Sequence, residues 1–233
     1  MQALSDPQLL EVWERGHRRS AVARAVLLAA QCPGIADRDA RALCIGERDT
    51  AILQVRRATF GTQLQGSLQC PNCAQPLEFD FDCSALPEDV ISPERTEFTA
   101  HDMRFRLPNS HDLMAVAQTD TAEDAAQALL RRCCLEESAT IDCSEALVAE
   151  VEGQISAADA ASDIRFGFTC TSCAHAWEER LDIAAWCWDE VELRAQRLLS
   201  EVHRLAWAYG WSEAQILSLG AARRRAYLEL CES

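Results

Sequence analysis

The chain of 233 residues contains no lysine, so arginine alone supplies its positively charged side chains apart from histidine. No apolar run approaches the roughly 18 residues that a membrane span needs. The first residues also lack the charged start, apolar segment and cleavage site that mark a secretory signal. We therefore expect a cytoplasmic protein that does not contact a membrane.

Recognisable catalytic motifs are missing as well. The sequence has no G-x-S-x-G turn, no phosphate-binding glycine loop, no H-E-x-x-H and no dinucleotide-binding glycine set. Its five histidines are scattered, and no spacing organises His101, His111 and Asp112 into an acid–base or metal site. These absences indicate a protein that is not an enzyme and has no small-molecule substrate.

The negative charge is concentrated in one part of the chain. The net charge of −15 divides into +2 over residues 1–73, −14 over residues 74–169 and −3 over residues 170–233. Such an acidic segment repels phosphate backbones, which argues against nucleic acid as a partner. The segment is either a solvated surface or a surface for a basic protein.

Four of the twelve cysteines form two C-x₂-C pairs. Each pair is followed by a stretch in which apolar and polar residues alternate, as in a β-strand, so each pair is expected at the tip of a hairpin. Two such turns complete a tetrahedral set of four thiolates, the arrangement of a zinc ribbon. The sequence therefore predicts one structural Zn²⁺ held by Cys70, Cys73, Cys170 and Cys173.

The separation of the pairs leaves alternatives open. Simple ribbons place about 15–20 residues between the pairs, whereas 96 residues intervene here. Because loop-closure entropy grows only logarithmically with length, a folded insertion between the hairpins is tolerable. The other interpretations are a lost metal site, a redox pair, or two separate sites completed by other ligands such as His175.

The pattern predicts an α+β fold that is mainly helical, with a small zinc-ribbon-like β element interrupted by a helical insertion. Residues 1–61 are expected to form a helical region, and residues 62–83 and 164–185 the ribbon. Residues 84–163 form the acidic, mainly helical insertion, in which one strand is expected within "FTAHDMRFRLP". Residues 186–233 are predicted to form a helical hairpin.

Aromatic residues cluster at the joint of this carboxy-terminal hairpin. We predict a partner surface there, because aromatic side chains are enriched among the residues that dominate binding energy. The alternative is that these side chains only pack the hairpin. Arg223, Arg224 and Arg225 bind either the acidic insertion of the same molecule or an acidic patch on a partner. The predicted partner-binding residues are Trp207, Tyr209, Trp211 and Leu217.

Three stretches carry a resemblance to a known family: "IGERDTAILQVRRATFGTQLQGSLQCPNCAQPLEFDFD", "FRLPNSHDLMAVA" and "RLAWAYGWSEAQILSLGAARRRAYLEL". They resemble the T-even phage baseplate hub assembly chaperones, proteins of contractile phage tails and of phage-derived injection systems. The most specific pieces are "IGERD", the first C-x₂-C with its strand, and "YGWSEAQIL". The resemblance covers most of the chain, but paired knuckles occur in only part of the family, so the zinc prediction depends on the cysteine spacing.

The resemblance implies a role in building the baseplate or hub, with no catalytic residues. The expected partners are baseplate, hub or spike proteins of the same tail cluster. A permanent structural component of the baseplate is the first alternative to an assembly chaperone. A regulatory zinc-ribbon protein that binds nucleic acid is the second, and the acidic charge argues against it.

Overall fold

The computed structural model describes residues 2–35, 37–86, 92–136, 141 and 143–231. It confirms the predicted α+β class, since helices dominate and the strands form small antiparallel pairs. The amino-terminal helices end and begin where sequence signals place them: the Ser5 capping box opens the first, and Gly61, at φ 90°, closes the third. These helices are α1 (Asp6–Gly16), α2 (Ala21–Ala29) and α3 (Ile45–Phe60).

Two hairpins follow the cysteine pattern. The first pairs β1 (Gln63–Gln69) with β2 (Pro76–Asp82), and each strand alternates between half-buried and exposed residues over most of its length. The second, which closes the segment between the cysteine pairs, joins two shorter strands, Arg165–Thr169 and Ala176–Arg180. Each hairpin is a separate two-stranded sheet with a C-x₂-C turn at its tip.

Between these hairpins, the residues that the structure describes form three α-helices and a third hairpin. One strand was expected within "FTAHDMRFRLP", but the structure has two, β3 (Glu97–Ala100) and β4 (Met103–Arg106). His101 and Asp102 turn the chain between them at φ 44° and 60°. The sequence lacks the Asn-Gly or Asp-Gly signal of such a turn, which is why periodicity alone suggested one strand. The helices are α4 (Ser110–Val116), α5 (Ala122–Cys133) and α6 (Glu145–Ala158). The two strands of the second cysteine hairpin are numbered β5 (Arg165–Thr169) and β6 (Ala176–Arg180).

The carboxy-terminal region starts earlier than expected. Helix α7 (Ile183–Tyr209) begins directly after β6, within the range assigned to the ribbon, because the Asp182 carboxylate accepts the Ala185 N–H at 2.9 Å. It ends at Gly210, which adopts the left-handed conformation at φ 68°. A short helix, α8 (Glu213–Leu217), then precedes α9 (Ala221–Cys231).

The main core lies between α1, α2, α3 and the first half of α7. Trp188 of α7 is 2% exposed and packs on α1 at Gly16, where a Cβ atom would lie 2.4 Å from its ring. Leu64 of β1 enters the same core, so the first hairpin is part of this body. The residues between the cysteine pairs have a second, smaller core, formed by Ala100, Phe105, Leu130, Cys133, Leu147 and Val151.

The motif "IGERD" at the start of α3 ties the two cores together. The Gly46 N–H donates to the Asp159 carboxylate at 2.9 Å, and a Cβ atom at Gly46 would lie 2.0 Å from that carboxylate. Arg48 donates to the Ser110 hydroxyl at 3.1 Å. Glycine is therefore required at this point by the close approach of a carboxylate to the helix amino terminus.

Candidate metal centre and partner surface

Both cysteine turns have the same backbone geometry. In the first, the Cys70 N–H donates to the Gln75 carbonyl at 2.9 Å, and the Ala74 N–H donates to the Cys70 carbonyl at 2.8 Å. The second turn repeats these bonds at 2.8 and 2.9 Å in positions 100 residues further on. Ala74 and Ala174 both adopt φ 58°, which is unfavourable for alanine. Both cysteine pairs therefore have the same turn conformation at the tip of their hairpin.

The structure brings the two turns together, and the four sulfur atoms all lie within 4.8 Å of one another. Two cross-hairpin pairs, Cys70 with Cys173 and Cys73 with Cys170, have Sγ–Sγ distances of 3.7 Å. A tetrahedron with metal–sulfur bonds of ~2.3 Å has edges of ~3.8 Å, whereas a disulfide would need ~2.05 Å. The four cysteines can therefore hold a tetrahedral, thiophilic metal ion, and they leave no ligand position for a substrate.

Aromatic contacts hold the hairpins face to face below this cluster. Phe79 of β2 packs edge-on against Phe168 of β5 at 5.2 Å, and Phe81 packs against Phe166 at 4.4 Å. Trp186 of α7 adds a third ring, 5.5 Å from Phe79. These rows explain how cysteine pairs separated by 96 residues meet at one point.

The four thiols differ in their surroundings. Cys70 and Cys170 are buried, whereas Cys73 and Cys173 are exposed. A hydrogen bond from the Asn72 side chain, at 3.5 Å, is the main cause that lowers the pKa of Cys173 to about 6. The Gln75 backbone N–H favours the thiolate of Cys73, but hydrogen bonds with the neighbouring thiols raise its pKa to about 12. A bound divalent ion would displace the protons that these thiols share, so its affinity depends on pH.

His175, the other residue considered as a ligand, is not one of the clustered side chains. The ring of His175 stacks on Trp177, with ring centres 6.0 Å apart. Cys83 is buried beside Arg56, 3.6 Å from a guanidinium nitrogen, and is not part of the cluster. Within the part of the chain that the structure describes, the four paired cysteines form the one group of three or more side chains placed to hold a metal.

Arg56 is a site residue that the sequence did not reveal, because it is one of many arginines in a helical pattern. Its guanidinium is fully buried and contacts Glu190 of α7 through two hydrogen bonds of 2.8 Å. It also donates to the carbonyl oxygens of Gly61 and Gln63, where α3 passes into β1. Arg56 therefore fixes the first hairpin to the helical body.

The predicted partner surface divides into exposed and packed residues. Trp207, near the end of α7, is 87% exposed, and Tyr209 is 38% exposed. Trp211 is half-buried and lies between Tyr209, at 4.7 Å, and Tyr227 of α9, at 4.9 Å. Leu217 packs against the main core. Of the four predicted residues, Trp207 thus presents by far the most apolar surface to solvent.

Arg224, the middle arginine of the α9 triplet, binds within the molecule, though not to the acidic insertion. Arg224 is 1% exposed and donates to Glu201 of α7 at 2.8 Å and to Asp6 of α1. Arg223 and Arg225 are exposed. Helical periodicity explains the difference, since only the middle arginine of three consecutive residues points at the neighbouring helices.

Much of the chain matches a known protein family. Residues 26–173, from α2 to the last of the four clustered cysteines, match the family described as T4 bacteriophage base plate protein. No curated protein and no solved structure matches the chain. None of the helices among the described residues combines the length and apolarity that a membrane crossing requires.

Proposed function

We propose, on the premise that the chain belongs to the T4 bacteriophage base plate protein family, that it is a non-enzymatic assembly chaperone for the baseplate or hub of a contractile tail. It acts in the cytoplasm, where such a particle is built. Its partners are baseplate, hub or spike proteins of the same particle. The family match supports the baseplate role, and it spans both cysteine turns and the acidic region between them.

The four clustered cysteines carry the second part of the proposal, a structural Zn²⁺. Sulfur–sulfur distances of 3.7 Å suit a tetrahedral ion with thiolate ligands, and zinc is the common metal in a closed four-cysteine site. When bound, the metal supplies a cross-link and no catalysis. The chain's own residues orient the thiols, through the two matching turns and the aromatic rows between the hairpins.

The proposed zinc site divides the chain into a ribbon, an insertion and a helical body. Residues 62–83 and 164–182 make one ribbon, and residues 84–163 are an insertion whose ends the ribbon brings together. Residues 1–61 and 183–233, which include all of α7, form the helical body on which the ribbon sits. A cross-link at the base of the insertion would fix the acidic surface relative to the body, which a protein that holds a partner in a set orientation needs.

The exposed end of α7 is the proposed contact with a tail protein. Trp207 is 87% exposed and Leu230 of α9 is 65% exposed. Large exposed aromatic side chains of this kind typically dominate the energy of a protein interface. Arg223 and Arg225 are exposed on the same helix as Leu230, so the partner is expected to present an apolar pocket with acidic residues around it.

The description of the family as base plate proteins also favours a second candidate, a permanent component of the baseplate. Quantitative mass spectrometry of mature particles and of assembly intermediates separates the two. A chaperone is present in intermediates and absent from mature particles. A constant number of copies in mature particles would establish the structural component instead.

The contact surface is tested by co-purification with each baseplate protein encoded beside this chain. Trp207→Ala should lower the recovery of at least one of them by roughly tenfold or more, as for a central interface residue. Leu193→Ala is the matched control, because Leu193 is 50% exposed on the same helix, about four turns away. Equal recovery with wild type and both variants would contradict the proposed surface.

A further inference from the structure

The two cysteine turns differ at the residue before the second cysteine. The first turn reads Cys-Pro-Asn-Cys and the second Cys-Thr-Ser-Cys, so Asn72 and Ser172 occupy equivalent positions. The Asn72 amide donates across the hairpin interface to Sγ of Cys173, at 3.5 Å. Among the described residues, Ser172 makes no corresponding hydrogen bond to Cys73. The two exposed thiols, equivalent in backbone geometry, therefore have unequal surroundings.

A hydrogen bond to a thiolate withdraws electron density from the sulfur. In a metal site, such outer contacts hold the ligand in place and reduce its reactivity towards electrophiles, and their loss weakens metal binding. Cys70 and Cys170 are protected by burial. Of the two exposed ligands, Cys173 receives a side-chain amide donor from the opposite hairpin, and among the described residues Cys73 has no such amide donor. The remaining difference in reactivity then falls on Cys73.

We propose that Asn72 is a positioning residue of the metal centre, and that it makes Cys73 the ligand at which the site opens. This inference depends on the proposed zinc site. Asn72 holds the sulfur of Cys173 on the metal from the opposite hairpin, so it also helps to join the two hairpins. An electrophile of the soft, thiol-seeking class attacks Cys73 first and releases the metal from one side.

The chemical step uses an added electrophile such as N-ethylmaleimide. The Cys73 sulfur adds to the carbon–carbon double bond of the maleimide and forms a carbon–sulfur bond, and the resulting enolate takes a proton from water. The product is a thioether, which is a poor zinc ligand. The metal is then held by three thiolates and passes to a competing chelator. No oxidant or reductant is involved.

The experiment uses the full-length protein as purified, with its zinc content measured first. Limiting N-ethylmaleimide is added together with a coloured zinc chelator, and peptide mass spectrometry quantifies the labelling of each cysteine over time. In the wild type, Cys73 should be labelled roughly tenfold faster than Cys173, with zinc released at the rate of Cys73 labelling. Cys231, exposed and distant from the cluster, reports the reactivity of an unligated thiol.

Two substitutions, one in each turn, test whether the Asn72 hydrogen bond causes the difference in labelling between Cys73 and Cys173. Asn72→Ser makes both turns end alike, and Cys73 and Cys173 should then be labelled at similar rates. Ser172→Asn places an equivalent amide opposite Cys73, and it should slow both the labelling of Cys73 and the release of zinc. Both residues lie in exposed turns, so neither substitution disturbs the core.

The outcomes separate this inference from the function it depends on. One zinc per chain with equal labelling of the two exposed ligands, or faster labelling of Cys173, overturns the role of Asn72 and leaves the zinc site intact. A freshly purified, reduced protein that contains no zinc overturns both. Neither result bears on the baseplate role, which depends on the family match and on partner binding.

Discussion

The two cysteine hairpins have the same turn geometry but differ in their contacts with the rest of the protein. The first has strands of seven residues, places Leu64 in the main core at 1% exposure, and is bound at its base by Arg56. The second has strands of five residues, and Cys170 is the one residue of β5, β6 and their turn that is fully buried. It is held at its base by Arg180, whose side chain is 57% exposed. Similar local sequences thus give the same turn geometry, whereas the contacts with the main helical core through Leu64 and Arg56 belong to the first hairpin.

This difference implies that the second hairpin depends on the first. Its half-buried rings, Phe166 and Phe168, lie against Phe81 and Phe79 of the first hairpin. An isolated two-stranded hairpin is at best marginally stable in water. We therefore expect these aromatic pairs, together with a metal bound by the four cysteines, to hold β5 and β6 in place, and the following changes test that dependence.

Loss of the metal should have the largest effect. Structural zinc contributes roughly 10–16 kcal/mol of apparent binding energy in small peptides, so Cys170→Ser or a strong chelator should unfold the second hairpin. Hydrogen exchange of the amides of β5 and β6 should rise far more than that of α3. Cys231→Ser is the control, as this exposed thiol lies outside the cluster. Equal hydrogen exchange in both hairpins after chelation would contradict the prediction that the second hairpin depends more on the metal than the first.

Removal of Arg56, which fixes the first hairpin to the helical body, should have the second-largest effect on stability. Arg56→Ala leaves Glu190 and two backbone carbonyls without their donor, and the breaking of a buried ion pair costs about 3–5 kcal/mol. Glu190 is 31% exposed, so we expect the lower end of that range. The matched change in the second hairpin, Arg180→Ala, removes an exposed pair and should cost at most about 1 kcal/mol. Urea unfolding of both variants measures the difference, and similar costs would contradict it.

Alanine substitutions at two glycines, one in each hairpin, should give a smaller difference in stability. A Cβ atom at Gly66 of β1 would lie 2.1 Å from the Trp186 ring, whereas nothing lies within 4 Å of a Cβ atom at Gly167 of β5. Gly66→Ala should therefore destabilise the protein by about 1–3 kcal/mol through overpacking. Gly167→Ala should be neutral or slightly stabilising, by up to about 1 kcal/mol. Thermal unfolding at fixed zinc content measures the stability of both variants. If Gly66→Ala costs no more stability than Gly167→Ala, the Trp186 ring moves aside to make room.

Trp207→Ala should change stability least, within about 0.5 kcal/mol, because its ring is almost wholly in solvent. Its effect should appear in partner recovery, not in the unfolding curve. A clear loss of stability would mean that the ring packs on the molecule in solution, and the proposed contact surface would then lose its main residue.

Much of the local structure could be predicted from the sequence. The capping residues Ser5 and Ser212 begin helices, Gly61 and Gly210 end them, and the C-x₂-C pairs form turns between strands. These features depend on residues within a few positions of one another, so a short stretch contains the information. The third hairpin was missed because His101 and Asp102 adopt a left-handed turn without the usual sequence signal.

By itself, then, the sequence determined most of the helices and strands, the four thiols and their chemical preference for a tetrahedral ion. Tertiary structure alone decided that the two pairs meet, since no spacing specifies how 96 intervening residues close. It also decided which arginines are buried beside distant carboxylates: Arg56 and Arg224 bind carboxylates 134 and 218 positions away along the chain. Local propensity cannot encode such contacts, because the partners meet only in the folded chain. There the burial of apolar surface drives folding, and ion pairing with hydrogen bonds offsets the cost of taking the charged groups out of water.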